Sequence, residues 1–326
     1  MKSALVQRQP PNSDAEGFFI PISYQCVNLQ LDKIFPLPRE EPMAKVNTKL
    51  VVGVLAGLGV LTGGRILVNG PVSPDQSFPL TITIKDPQGK PVKDFQITQE
   101  KLMHLIVVSN DLGFYEHIHP TFTSNGRFEV STALPQAGPY TLFSDFKPVG
   151  MRHQTTALPL SVAGSPTPAS SPQVSLARTK TFSTTRVNLS LSNPAIQSTK
   201  QTKPLAGQEV KVTFDLRDTA TGRPVSNLQP YLGAGGHLVI LHQLPQLTAQ
   251  SYIHAHALPL WGTNGSSSTT ADEHSTHAQL ASATSSAPGR VDFLVTFPKA
   301  GRYKLWGQFS RGGQIMTADF WSELAV

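Results

Sequence analysis

The sequence predicts an all-β protein made of two tandem immunoglobulin-like or cupredoxin-like β-sandwich domains that follow an N-terminal hydrophobic segment. Three observations support this fold class. Only 15% of the residues are charged while 25 are Gly and 27 are Pro, a composition that favours short strands and turns over long helices. Several short segments alternate apolar and polar residues, and no window beyond the N-terminal apolar run has helical periodicity. Finally, the chain contains a long internal repeat.

The internal repeat is clearest near the end of each copy. Residues 289–313, GRVDFLVTFPKAGRYKLWGQFSRGG, align without a gap onto residues 126–150, GRFEVSTALPQAGPYTLFSDFKPVG. Every residue lies 163 positions after its counterpart, as Tyr303 does after Tyr140. A repeat of this length is too long for a solenoid unit, so it predicts two copies of one globular domain.

The N-terminal region resembles a targeting segment. Lys45 and Lys49 precede an apolar run from Leu50 to Leu61, the pattern of an export signal. This run is shorter than the roughly 20 residues of a membrane span, although residues 66–68 could extend it. We therefore expect a signal peptide or membrane anchor over residues 43–70. Residues 1–42 are predicted to be a disordered leader or an over-extended start, because Met43 begins a natural signal sequence.

This interpretation of the N-terminus has consequences for location. It predicts a periplasmic or otherwise extracytoplasmic protein that is secreted or N-terminally anchored, with membrane contact only through residues 43–70. Whether the segment is cleaved is left open.

The first domain is predicted over residues 71–163. Within it, PLTITIKD (Pro79–Asp86) alternates apolar residues with threonine and ends in the turn sequence DPQG. Further strands are predicted in LMHLIVVS, RFEVSTAL, PYTLFSDF and TTALPLSV. Roughly seven short strands at intervals of about ten residues are typical of a β-sandwich.

A linker and a second domain follow. Residues 164–178 are rich in Pro and Ser and lack apolar periodicity, which predicts a linker. The second domain is predicted over residues 179–326, with alternating strands in TRVNLSLS and EVKVTFDLRD. It carries an insertion at residues 259–288 that is poor in apolar residues and is predicted to be a mobile loop. His274 and His277 lie in this loop and are interpreted as solvated.

Histidines recur in the same pattern in both domains. His104 lies in an apolar strand and is followed by His117 and His119, and the second copy has the equivalent set His237, His254 and His256. Residues two apart on a strand share a face. In an antiparallel hairpin centred on residues 110–111, His104 opposes His117, and a centre one residue later pairs it with His119. Either way all three rings lie on one face. The second connection is four residues longer, an even number that preserves this parity.

Three imidazoles on one face can bind copper or zinc, so we expect a metal cluster in each domain, with these six histidines as ligands. The candidates for a fourth ligand or a hydrogen-bonding partner are Asp145, Met151 and His153. Their counterparts 163 positions later are Gln308, Gln314 and Met316, which makes the first domain the better expected site. The competing interpretation is that the histidines are structural, donating to main-chain carbonyls or stacking on aromatic rings.

Several other functions are excluded by the sequence. The net charge is +6, but the basic residues are scattered and not interleaved with aromatic residues, which argues against nucleic-acid binding. The only cysteine, Cys26, lies in the N-terminal extension, so a blue-copper centre with a thiolate is excluded from the two domains. None of the common nucleophile, nucleotide or zinc-protease motifs occurs, so the protein is not expected to be an enzyme.

The runs KLMHLIVVS and HIHP between Lys101 and Pro120, and YLGAGGHLVIL and YIHAH in the second copy, resemble exported bacterial tandem β-sandwich proteins. That group is distantly similar to YtkA-like and cupredoxin-like domains linked to metal handling. The resemblance implies an immunoglobulin-like or cupredoxin-like fold and a periplasmic or surface location. One departure is Ala257, which stands where the first copy has Pro120.

Together these patterns predict a non-enzymatic exported protein that binds copper or, second, zinc. The alternative is an interaction module of the cell envelope, with structural histidines, no metal and another envelope protein as its partner.

Overall fold

Four β-sheets form two tandem sandwiches in the computed structural model, and this all-β architecture confirms the predicted fold class. The structure describes residues 49–53, 63–165, 174–194, 204–258 and 287–325. Within these ranges the only helix is a single turn of 3-10 helix, Ala249–Ser251.

The first sandwich contains ten strands. They are β1 (Lys49–Gly53), β2 (Gly63–Asn69), β3 (Ser77–Lys85), β4 (Phe95–Gln96), β5 (Met103–Ser109), β6 (Tyr115–Ile118), β7 (Thr121–Ser124), β8 (Arg127–Ala133), β9 (Gly138–Pro148) and β10 (Gln154–Val162). One sheet has the order β1-β2-β3-β8-β7 and the other β10-β9-β5-β6, with β4 paired to β9.

The second sandwich repeats this arrangement. Its strands are β11 (Thr179–Phe182), β12 (Thr185–Ser192), β13 (Glu209–Asp218), β14 (Leu228–Gln229), β15 (His237–His242), β16 (Tyr252–His256), β17 (Arg290–Thr296), β18 (Gly301–Arg311) and β19 (Gln314–Leu324). One sheet has the order β11-β12-β13-β17. In the other, β18 pairs with β14, β15 and β19, and β15 pairs with β16. Thus β19-β18-β15-β16 matches β10-β9-β5-β6 strand for strand.

Each sandwich has its own apolar core, which alternating strand residues supply. In β3, Leu80, Ile82 and Ile84 are buried, and in β13 the residues Val210 and Val212 are buried. Side chains one residue apart on a strand point to opposite faces, so this alternation places one face of each sheet in the core.

The first sandwich begins before the predicted boundary at residue 71. Strand β2 pairs with β3 along its length, and it buries Ile66 and Val68 in the first core while Arg65 is exposed. The alternation of these three residues is the pattern of a half-buried strand. Residues 49–53 and 66–68 therefore lie in strands of the first sandwich, which corrects their assignment to a signal or anchor.

A third apolar core lies between the two sandwiches, which belong to one compact unit, Asn47–Val326. Strands β5 and β15 are buried along their whole length, because one face of each packs in its own sandwich and the other packs in this third core. The third core consists of Ile106, Val108, Leu112 and Phe143 from the first sandwich and Val239, Leu241, Leu247, Tyr252, Trp306 and Trp321 from the second.

Some predicted segments lie outside the described residues. These are the leader (residues 1–42), residues 43–48 and 54–62 of the predicted signal or anchor, residues 166–173 of the linker, and residues 259–286 of the loop with His274 and His277. Within the described ranges, no helix has the length and apolar character needed to cross a membrane.

Candidate metal centre

The hairpins place three histidine rings on one face of each sandwich, as the parity argument predicts. In the first hairpin Leu105 opposes Ile118, which is the register that puts His104 opposite His119. Ring centroids of His119 lie 5.0 Å from His104 and 4.7 Å from His117. The second hairpin pairs His237 with His256 in the equivalent register, and their ring centroids are 4.9 Å apart.

The two sets of histidines adjoin each other between the domains. The predicted set of His104, His117 and His119 brings its ligand atoms within 4.8 Å, whereas the second such set joins His104 to His237 and His254 across the interface and does not stay within the second domain. The ring centroid of His104 lies 5.3 Å from that of His254 and 5.9 Å from that of His237. The reason is the packing of the sandwiches: the faces of β5 and β15 that carry these histidines are the faces that meet in the third core. The histidines therefore lie between the domains.

Main-chain carbonyls fix the two histidines at the centre of the cluster. His104 donates from Nε2 to the carbonyl oxygen of Thr98 at 3.0 Å. His237 donates from Nε2 to the carbonyl oxygen of Tyr231, also at 3.0 Å. Both side chains are buried, with 1% and 0% exposure. These contacts place the Nε2 proton outward and leave each Nδ1 facing the cluster.

Side chains from the opposite sandwich fix the first histidine of each His-x-His pair. His117 donates from Nδ1 to Oε1 of Gln308 at 2.7 Å, and His254 donates from Nδ1 to Oδ2 of Asp145 at 2.8 Å. Asp145 and Gln308 are at equivalent positions of the repeat, and each serves the other sandwich. Asp145 was expected to complete a site in the first domain, and this exchange across the interface corrects that expectation.

The outward hydrogen bonds determine which ring nitrogens carry protons. All four acceptors are oxygens without a proton, so each outward nitrogen is assigned the proton of a neutral imidazole. The inward nitrogens then present lone pairs. His104 Nδ1 lies 3.0 Å from His117 Nε2, and His237 Nδ1 lies 3.3 Å from His254 Nε2. Two lone pairs at these distances repel each other unless a cation lies between them.

Burial opposes protonation of the cluster. Desolvation and, after it, the neighbouring histidines lower the pKa of His117 from 6.5 to about 4 and that of His119 to about 3. Burial also lowers the pKa of His104, and it puts the pKa values of His237 and His254 well below the usual value. These five histidines are therefore neutral near pH 7.

Asp145 is the charged group nearest the cluster. It is 2% exposed, and burial alone would raise its pKa, but the charge of His153 and the hydrogen bonds from His153 and His254 hold the pKa well below the usual value. His153 bonds to Oδ1 of Asp145, and Tyr252 donates to Oδ2 at 3.3 Å. The predicted His153 thus contacts Asp145, which also accepts from His254.

Met151, the last of the predicted candidates, and His242, a histidine of β15, have their described contacts outside the cluster. The sulfur of Met151 accepts a hydrogen bond from Gln154 at 3.9 Å, and no described contact joins it to the six histidines. His242 stacks on Tyr303 with a centroid separation of 4.5 Å, on the opposite face of β15 from His237.

Two tyrosines at the cluster were missed by the sequence reasoning. Tyr115 stacks on Trp306 at 4.9 Å, and Tyr252 stacks on Phe143 at 4.8 Å. Tyr115 also donates to Oε1 of Gln308 at 3.3 Å. Each tyrosine precedes a His-x-His pair by two residues, so the shared pattern Y-x-H-x-H places it on the same face and was the available signal.

The fold and the site together define a tandem β-sandwich protein whose two domains share one buried histidine cluster. The chain belongs to the family described as "Domain of unknown function (DUF8832)", which matches residues 60–164 and 194–325. The first range covers β2 to β10 of the first sandwich, and the second covers β13 to β19 of the second sandwich.

No curated protein sequence matches the chain. Solved structures that match include Salmonella alpha-2-macroglobulin (14% identity, 80% of this chain and 15% of that chain, TM-score 0.22). A second match is a DUF4785 family protein from Legionella pneumophila (10% identity, 82% of this chain and 56% of that chain, TM-score 0.26). A third is a conserved domain protein from Bacillus anthracis (10% identity, 85% of this chain and 91% of that chain, TM-score 0.22).

The chain spans less than two thirds of the Salmonella and Legionella chains. TM-scores this low assign no function to this chain. The comparisons give no link to YtkA-like or cupredoxin-like domains, so that part of the sequence resemblance stays a prediction.

Proposed function

We propose that this chain is a non-enzymatic metal-binding protein that holds one transition-metal ion between its two sandwiches. The ligands are Nδ1 of His104, Nε2 of His117, Nδ1 of His237 and Nε2 of His254. The observation that carries the proposal is the approach of ring nitrogens across the interface. Ligand atoms of His104, His237 and His254 lie within 4.8 Å of one another, and Nε2 of His117 lies 3.0 Å from Nδ1 of His104. Each of the four rings is fixed by an outward hydrogen bond. Metal-binding histidines usually donate their second nitrogen to a carbonyl or carboxylate in this way.

The arrangement of the rings favours a tetrahedral ion. All six centroid separations among the four rings lie between 5.2 and 5.9 Å, whereas a square arrangement would make two of them much longer. Zn–N bonds of about 2.0–2.1 Å hold tetrahedral nitrogens about 3.3–3.4 Å apart. The two measured nitrogen separations, 3.0 and 3.3 Å, are close to this value.

Zinc is the preferred ion for this site. Four imidazoles suit Zn²⁺, while tetragonal nitrogen sites suit Cu²⁺ and sulfur ligands suit Cu⁺. Copper, which the sequence resemblance put first, becomes the second candidate. Four protein ligands leave no position for a substrate, and closed sites of this kind are structural rather than catalytic. This supports a binding protein over an enzyme.

The alternative function is an interaction module whose histidines are structural. The bonds of His104 and His237 to main-chain carbonyls agree with it. It gives no account of the paired inward nitrogens, which is why the metal-binding function is preferred. An extracytoplasmic location is also proposed, on the lysines and apolar run at the N-terminus.

Equilibrium titration of the full chain with Zn²⁺ and Cu²⁺, against a competing chromophoric chelator, tests the proposal. We expect a Kd for Zn²⁺ below about 1 μM. We also expect His104→Ala and His237→Ala to weaken binding by at least about 100-fold, the upper end of the effect of removing an outer hydrogen-bonding partner. The two variants are in different domains, so equal losses indicate one shared site.

Two controls accompany this titration. His242→Asn removes a histidine outside the cluster and should leave the Kd unchanged. The double variant His274→Ala/His277→Ala removes the histidines of the loop at residues 259–288 and should also have no effect. Binding no tighter than micromolar by the wild-type chain, or binding that survives in both cluster variants, would reject a metal-binding function for the cluster.

A further inference from the structure

His119 lies at the edge of the cluster and takes no part in the four-histidine centre. Its Nε2 atom is buried and makes no hydrogen bond within the described part of the chain. Its side chain is nevertheless less deeply buried than those of His104 and His237, which are almost fully enclosed. An imidazole nitrogen that is covered but without an acceptor is available to a ligand.

The six histidines contain two sets of three. Within each set the ligand atoms lie within 4.8 Å of one another, and the two sets share one residue. One set is His104, His117 and His119, all from the first sandwich, and the other is His104, His237 and His254 across the interface. An ion bound by the first set can therefore reach the second without leaving His104.

We propose that His119 is a transit ligand through which a metal ion enters and leaves the shared centre; this inference rests on the proposed function. The ion first binds His119, His117 and His104. His237 and His254 then replace His119, while His104 and His117 remain bound. Every ligand is a neutral imidazole nitrogen, so the exchange forms and breaks only metal–nitrogen bonds and requires no co-reactant.

The surroundings of the centre support entry from this side. His104 and His237 are shielded from solvent, and the stacked pairs Tyr115–Trp306 and Tyr252–Phe143 flank the centre. A direct approach to His104 and His237 is therefore closed, whereas His119 is half-buried at the end of the first hairpin.

Exchange kinetics of the full chain with Zn²⁺ test this role. Association is followed by stopped flow, and dissociation by transfer of Zn²⁺ to excess EDTA. A ligand used only in transit lowers both barriers, so His119→Asn should slow association and dissociation equally, by about tenfold or more. The Kd should therefore stay within about twofold of the wild-type value.

His119→Gln repeats the test with a longer side chain, and thermal unfolding of the metal-free variants confirms that they fold. His242→Asn should leave both rates unchanged. Wild-type rates in both His119 variants, or equal slowing in His242→Asn, would overturn the transit role while leaving the centre intact. Faster dissociation with unchanged association would make His119 a resident ligand and also overturn it. Failure of the wild-type chain to bind Zn²⁺ would overturn both proposals.

Discussion

The two sandwiches have the same histidine-bearing sheet, the same three histidines and the same stacked tyrosine, but they differ in the side chain that each supplies to the other. The first supplies a carboxylate, Asp145, to His254 of the second. The second supplies a neutral amide, Gln308, to His117 of the first. Either acceptor fixes the same imidazole tautomer, so the geometry of the centre needs an oxygen at this position and not a charge. The charge affects how strongly the centre attracts a cation.

The largest expected effect is on stability, and it shows whether the two sides of the interface contribute equally to the free energy of unfolding. Phe143 and Trp306 occupy equivalent positions, and both are buried in the third core against a tyrosine. We expect Phe143→Ala and Trp306→Ala each to lower the free energy of unfolding by about 3–5 kcal/mol. Chemical denaturation of the metal-free chain measures this. A loss below about 1 kcal/mol in either variant would mean that the interface relaxes around the cavity.

Acid should weaken the metal-free fold through the histidines of both sandwiches. The pKa of His117 is lowered from 6.5 to about 4 in the folded chain, so the unfolded chain binds a proton first as the pH falls. The contribution of neutral His117 to the free energy of unfolding is therefore complete above pH 6.5 and is lost as the pH falls from 6.5 towards 4. Denaturant midpoints across this range should decrease, and His117→Gln should flatten the decrease. A constant midpoint would contradict the burial of a neutral cluster.

Exchanging the two acceptors should change metal affinity in opposite directions. Asp145→Asn removes the carboxylate partner of His254 and should weaken Zn²⁺ binding by about 10–100-fold. Gln308→Glu places a carboxylate beside His117, where Nδ1 of His117 and the Tyr115 hydroxyl already donate, and should strengthen binding. Chelator competition measures both variants. Weaker binding by Gln308→Glu would show that the charge itself is not favourable there.

The smallest effect concerns the two tyrosine hydroxyls. Tyr252→Phe removes a hydrogen bond to Asp145, and Tyr115→Phe removes one to Gln308. Each bond is 3.3 Å long, and we expect a loss of about 0.5–1.5 kcal/mol in unfolding free energy, larger for Tyr252 because its acceptor is charged. Thermal unfolding of both variants gives the comparison. A larger loss in Tyr115→Phe than in Tyr252→Phe would contradict the expectation that the bond to the charged Asp145 is the stronger one.

Much of this molecule could be predicted from local patterns. Period-two alternation predicted the strands that fill each core, and the gapless alignment of residues 126–150 with 289–313 predicted the tandem domains. Parity along the hairpins placed His104, His117 and His119 on one face. These are properties of a strand and its neighbour, and the sequence specifies them directly.

The shared centre could not be predicted in this way, because it depends on how two domains pack. His254 and Asp145 are 109 residues apart, and His117 and Gln308 are 191 apart. One signal was present: the uninterrupted apolar runs LIVV in β5 and LVIL in β15 lack the alternation of a half-buried strand and indicate burial on both faces. The strand at residues 63–69 was missed because its apolar residues follow a targeting-like run.

Native mass spectrometry of the chain saturated with Zn²⁺ tests the central claim most directly. A single centre shared by both sandwiches predicts one ion per chain, and none in His104→Ala or in His237→Ala. Two ions per chain in the wild type, with one remaining in each variant, would show that each sandwich binds its own ion and would contradict a shared centre.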